Sequence, residues 1–207
     1  MKKIFNITKQ AFTLAEVLMV MGILGVVAAL TIPNLQSNIE DQQIVAKVQT
    51  MYADIDQAYK VALKKYDDNW EDSSYAPRVL EYMNTKSICD NNNASSCFAS
   101  IIHLYDDSSE DFPFEPENIS AIFNDGSSIY FRTNEKDALF DIDGKDKGYN
   151  TLGIDIFFIS FGENGLRLET ETNFSSVGNY TSWIIKFNNV DYLHCSTLKA
   201  NGNTTCK

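Results

Sequence analysis

The chain opens on a short basic stretch, with Lys2, Lys3 and Lys9, and then turns apolar from Ala11 to Pro33 with one acidic interruption at Glu16. An apolar run of about 20 residues is long enough to cross a bilayer core as a helix, and lysines ahead of it stay on the cytoplasmic side. Pro33 removes a backbone donor and clashes with the preceding turn, which predicts a kink between Gly25 and Pro33. Beyond it the pattern changes. Ile44, Val48, Met51, Ile55, Tyr59, Ala62 and Tyr66 recur at three- and four-residue steps and define one apolar stripe of an amphipathic helix. A single helix from Phe12 to about Tyr66 would be about 80 Å long, so its second half projects beyond a bilayer as a stalk.

Asp67-Asp68-Asn69 ends that periodicity. The segment from Trp70 to Pro116 mixes charges, turn formers and two cysteines and reads as a connection, with a short helix around Arg78–Asn84. Its apolar residues, Phe98, Ile101, Ile102 and Leu104, are expected to cover the stalk. Strand patterns follow: Ile119–Phe123 and Ile129–Arg132 flank Asn124-Asp125-Gly126, a turn that tolerates the positive backbone angles of a tight hairpin. Leu139–Ile142 adds a strand, and Ile156–Phe161 with Leu166–Glu169 repeats the hairpin around Gly162-Glu163-Asn164-Gly165. Tyr180–Phe187 fits a short helix or a strand equally. The fold class is therefore α+β, a long N-terminal helix packed on a small antiparallel sheet.

The formal net charge of -11 argues against a phosphate-binding surface, which needs clustered Lys and Arg, so nucleic acid is not expected as a partner. The four cysteines form two local pairs, Cys89 with Cys97 and Cys195 with Cys206, each bounding a loop rich in Asn, Ser or Thr. These read as two disulfides in an oxidising compartment, although four cysteines permit three connectivities. The chain has no Gly-x-Ser-x-Gly elbow, no His-Glu-x-x-His and no phosphate-binding glycine loop, and its only histidines are His103 and His194. Catalysis is not expected.

One head segment concentrates oxygen ligands. Asp141, Asp143 and Asp146 surround Gly144, and Asn150 and Asp155 follow, a set suited to a hard cation such as Ca2+. The competing reading is that Asp, Asn and Gly form turns between strands. The EF-hand register is incomplete, because Leu152 stands where its twelfth-position Glu belongs, and Lys145 and Lys147 dilute the charge. No cofactor is required by either reading.

The N-terminal residues Lys9-Gln10-Ala11-Phe12-Thr13-Leu14-Ala15-Glu16-Val17-Leu18, with Gly25 and Pro33 beyond, resemble the processing signal of type IV pilins and type II secretion pseudopilins, over about the first 35 residues. The resemblance implies cleavage by a prepilin peptidase between Ala11 and Phe12 and N-methylation of Phe12, with Ala11 standing where the family usually has Gly. It further implies that Glu16 neutralises the Phe12 amine of a neighbouring subunit and so sets subunit registry. A carboxylate in a membrane helix needs such a partner on physical grounds too, since its insertion costs about 2.5–3.5 kcal/mol at the helix centre. The head's Asp-rich loop also resembles one found in pseudopilin-like heads, some of which hold calcium.

The organisation that follows is a leader, 1–11, a membrane and filament-core helix, 12–35, an amphipathic stalk, 36–66, and an extracytoplasmic head, 67–207. The expected function is that of a pilin-like subunit of a type IV pilus or type II secretion-type filament. It would sit in the bacterial inner membrane by a single span, head in the periplasm, before joining other pilin-like subunits at an inner-membrane assembly platform. The alternative is a membrane-anchored extracytoplasmic binding module with no filament role.

Overall fold

The computed structural model describes residues 13–66, 74–90, 93–104, 109–111, 117–168 and 179–194, without the side chains of 32–38, 109–111 and 179. The chain divides into two compact units, Met1–Glu40 and Asp41–Lys207, and helix α1, Leu14–Tyr66, contributes to both. In the first unit the stretch Leu14–Thr31 is apolar enough to cross a membrane, and none of it is buried within the protein. Leu18, Met21, Leu24 and Val26 are all largely exposed. The helix continues through Pro33, whose side chain is outside the described residues.

The second unit is built on a sheet of six antiparallel strands in the order β1-β4-β5-β6-β7-β8. They are β1 Thr85–Cys89, β4 Ile119–Phe123, β5 Ser128–Arg132, β6 Asp137–Asp141, β7 Ile156–Gly162 and β8 Gly165–Arg167, and a separate pair joins β2 Ile101–His103 to β3 Ser109–Asp111. The central strands are buried on both faces, and their side chains sort by strict alternation. Ile129, Phe131, Ala138, Phe140, Phe157 and Ile159 join the cluster that includes Val48, Met51, Ile55, Tyr59 and Ala62 of α1. Between them, Tyr130, Leu139 and Phe158 face the other way, toward Ala94, Phe98, Ala99 and Ile102. Burial of each large apolar side chain contributes about 1.5–3 kcal/mol, so these two layers carry most of the stabilisation.

Polar contacts hold α1 in register against the sheet. Tyr59 donates its hydroxyl to the Gly162 carbonyl at 3.0 Å, and Asp56 accepts the Leu166 N–H at 2.9 Å. Gly165 lies against Lys60 and Asp56 with a φ of 146°, so a Cβ there would meet the Lys60 stem at 2.6 Å. Helix α3, Asn179–Phe187, completes the layer by burying Trp183 and Ile184 in the same cluster as α1.

Two expectations for the connecting region are corrected. Phe98 and Ile102 cover the face of the sheet opposite α1, with Leu104 packed beside them, while Ile101 is exposed. Strands with large side chains on both faces need a second cover, and this segment supplies it. The short helix, α2, is Tyr75–Leu80, earlier than Arg78–Asn84, with Pro77 in its first turn, where a missing N–H is tolerated. The chain after Met83 instead enters β1, which pairs with β4. Within the 70–116 span the expected disulfide joins Cys89 at the end of β1 to Cys97, with Cα atoms 5.9 Å apart. Cys195 and Cys206 lie outside the described residues.

Candidate functional site

Two places concentrate unusual chemistry, one in each unit. In the first, Thr13 and Glu16 form a reciprocal cap at the start of α1. The Thr13 N–H and hydroxyl both donate to Glu16 Oε2, at 2.9 and 2.8 Å, and the Glu16 N–H donates to Thr13 Oγ1 at 3.3 Å. This is a capping box, in which two otherwise orphaned helix-start donors are satisfied and an acid sits at the positive end of the helix dipole. The Thr-x-x-Glu spacing was legible in the sequence, but attention to the acid alone missed Thr13. Ala11 and Phe12 lie outside the described residues.

In the second unit the site is the loop from Asp141 to Ile156, joining β6 to β7. Two carboxylates bend it. Asp141 Oδ1 accepts the N–H groups of Asp143 and Gly144 at 3.1 and 2.8 Å, an Asx turn that closes the end of β6. Asp155 accepts three consecutive N–H groups, those of Tyr149 and Asn150 at Oδ2 (2.6 and 2.8 Å) and that of Thr151 at Oδ1. Three donors converging on one carboxylate hold residues 149–151 in a concave turn, with Asn150 at a φ of 48°. Gly148 has a φ of 65° and sits against the carboxylates of both Asp143 and Asp155, leaving no space for a Cβ.

What remains after these bonds is a set of buried oxygens without donors. Asp141 is fully buried, and its Oδ2 has no hydrogen-bond partner. Asp143 Oδ1 and Asn150 Oδ1 are buried and unpaired as well. Burial pushes the Asp141 carboxyl up to about 7, against the pull of its two N–H donors, and the adjoining Asp143 carboxylate adds to the rise. Burial also raises Asp155, with its three N–H donors opposing and Asp143 reinforcing the shift. An unpaired buried acceptor costs about 1–3 kcal/mol, so three in one loop are a substantial local deficit.

The chain matches no protein-family model, no curated protein and no solved structure.

Of the five residues singled out from the sequence, Asp141, Asp143 and Asn150 supply unpaired buried oxygens, whereas Asp155 spends its carboxylate on the backbone. Asp146 is exposed and lies 3.3 Å from the Lys145 ammonium. Among the described residues no group of three or more His, Cys, Asp and Glu side chains comes together to hold a metal ion. The unpaired set is two carboxylates and an amide oxygen, the hard-donor chemistry that Ca2+ prefers, and it lacks the nitrogen and sulfur donors typical of zinc. His194 is engaged elsewhere, its Nε2 2.9 Å from Asp41 of α1.

Proposed function

We propose that this protein is a pilin-like filament subunit, processed at Ala11–Phe12 by a prepilin peptidase and assembled through its apolar helix into a type IV pilus or type II secretion-type filament. The observation that carries the reading is α1 itself. A stretch apolar on all sides and unburied is continuous, in one helix, with an amphipathic stretch that is buried in a folded α+β unit. An apolar surface of that kind needs lipid or the helices of other subunits around it. The leader resemblance adds the processing step, and Glu16 would exchange its Thr13 cap for the Phe12 amine of a neighbour on assembly.

The test is the intact mass and N-terminal sequence of the chain after co-expression with a prepilin peptidase. A mature chain that begins at an N-methylated Phe12 is the expected result. A chain that retains Met1, or one cut after Pro33, would overturn the proposal in favour of a membrane-anchored binding module.

We further infer that the β6–β7 loop of the head takes a calcium ion. Asp141, Asp143 and Asn150 would hold it, with Asp155 shaping the turn behind them. The ion supplies the positive charge that their unpaired buried oxygens lack. Calorimetric titration of Ca2+ into the full chain in detergent should show one site per chain, weakened at least tenfold in Asp143→Asn.

A further inference from the structure

The loop that holds the unpaired oxygens is also where the peripheral parts of the second unit attach. Toward β2, the His103 N–H donates to the Asn150 carbonyl at 2.9 Å, and the Leu152 N–H donates back to the His103 carbonyl at 3.0 Å. Toward the C-terminal side, the Tyr192 hydroxyl donates to the Gly153 carbonyl at 2.6 Å in a buried contact. The Tyr180 ring lies flat enough against Gly153 that a Cβ there would meet it at 2.8 Å, and Tyr180 and Tyr192 pack together with centroids 4.9 Å apart. Toward the β4–β5 turn, Gly144 touches the Gly126 backbone closely enough to exclude any side chain.

Asn150 stands at the junction. Its side-chain oxygen belongs to the unpaired set, its N–H is bound by Asp155, and its carbonyl is bound by β2. An adjustment of the Asn150 side-chain oxygen acts on the short stretch, Asn150 to Gly153, whose carbonyls His103 and Tyr192 hold. The Asp141 and Asp143 carboxyls adjoin one another, and both they and Asn150 hold a buried oxygen that a cation would satisfy and that opening to water would otherwise satisfy.

We propose that calcium in this loop acts as a clasp, so that its binding docks the β2–β3 pair and the α3–Tyr192 segment onto the six-stranded sheet. The proposal rests on the calcium reading above and adds a role that the reading alone does not require. A calcium site can stabilise its own loop without affecting elements on either side of it. Here the loop's carbonyls at Asn150 and Gly153 are the acceptors for both peripheral elements, which ties the two events together.

The experiment is amide hydrogen exchange on the full chain in detergent, with calcium in excess and with a calcium chelator, in peptides covering 101–104, 149–155, 190–194 and, as an internal control, 129–131. At about a hundred times the dissociation constant, calcium slows exchange by up to about a hundredfold wherever opening requires its release. The expected result is slowing in 101–104 and 190–194 as well as in 149–155, with little change in 129–131. Tyr192→Phe should retain calcium binding and the effect at 101–104 but lose it at 190–194. Slowing confined to 149–155 would overturn the clasp and leave the calcium site standing. The absence of both binding heat and any exchange effect would overturn the calcium reading itself.

Discussion

Helix α1 contains two stretches of opposite fate. From Leu14 to Thr31 nearly every large apolar side chain is exposed, while from Val45 to Ala62 one stripe is buried and the exposed residues between are mostly polar. The difference lies in both the amount and the arrangement of the apolar residues. A stripe has one face to bury and is satisfied by a single sheet, whereas a helix apolar on all sides cannot be satisfied by one partner on one side. The first stretch is thus built for surroundings and the second for a neighbour.

Substitutions that exploit this contrast should differ widely in their effect on the head. The largest effect is expected for Tyr59→Ala, which empties a site that is 1% exposed and removes both the bond to Gly162 and the edge contact with Phe161 at 4.8 Å. A loss of about 3–5 kcal/mol, or about 10 °C in melting temperature, should appear in thermal unfolding. Cys89→Ser opens a loop of eight residues and should cost about 2.5 kcal/mol on the chain-entropy account. The loss should vanish when wild type and variant are compared under reducing conditions.

His194→Ala removes an exposed pairing with Asp41 and should cost no more than about 1 kcal/mol, a loss that double-mutant analysis with Asp41→Ala would assign to the pair. Leu24→Ala, in the exposed stretch, should leave head unfolding within about 0.5 kcal/mol of wild type. Its effect should be found in membrane retention or filament yield instead. Glu16→Ala sharpens the same contrast, since loss of the Thr13 cap should not reach the head, while incorporation into filaments should fail. A head destabilised by Leu24→Ala, or normal filaments from Glu16→Ala, would break the division of labour along α1.

Much of the fold could be read before the structure. The 119–132 hairpin was marked by Asp125 and Gly126, and the structure places Gly126 at a φ of 95°, with Asp125 accepting from the N–H and hydroxyl of Ser127. Strands β1 and β2 were not legible. Thr-Lys-Ser-Ile-Cys and Ile-Ile-His are too short and too polar to show a period, and they become strands only because β4 and β3 are beside them. The double-sided burial of β5 to β7 was not anticipated, although their dense apolar runs carry it, and neither was the element that covers the second face. Ile101, exposed, and Leu104, half-buried, look as apolar in the sequence as the buried Phe98 that seals the sheet.

The oxygen-rich loop divides in the same way. Its composition singled out the segment, but five residues with similar donors received three different tasks. Asp155 binds backbone, Asp146 faces solvent beside Lys145, and Asp141, Asp143 and Asn150 are left with unpaired buried oxygens. The left-handed turns at Gly144, Gly148 and Asn150 decide which side chains point inward, and sequence spacing does not encode that direction.

The sequence by itself determined the apolar helix, its acid one turn from the start, the amphipathic stripe, the hairpins and the α+β class, because each follows from local periodicity or from turn chemistry acting over a few residues. Only the tertiary structure decided the sheet order, the second cover, and which carboxylates are left without donors. Those depend on which groups meet across long separations in the chain, and a buried polar atom becomes conspicuous only after every neighbour that might have paired with it has been placed.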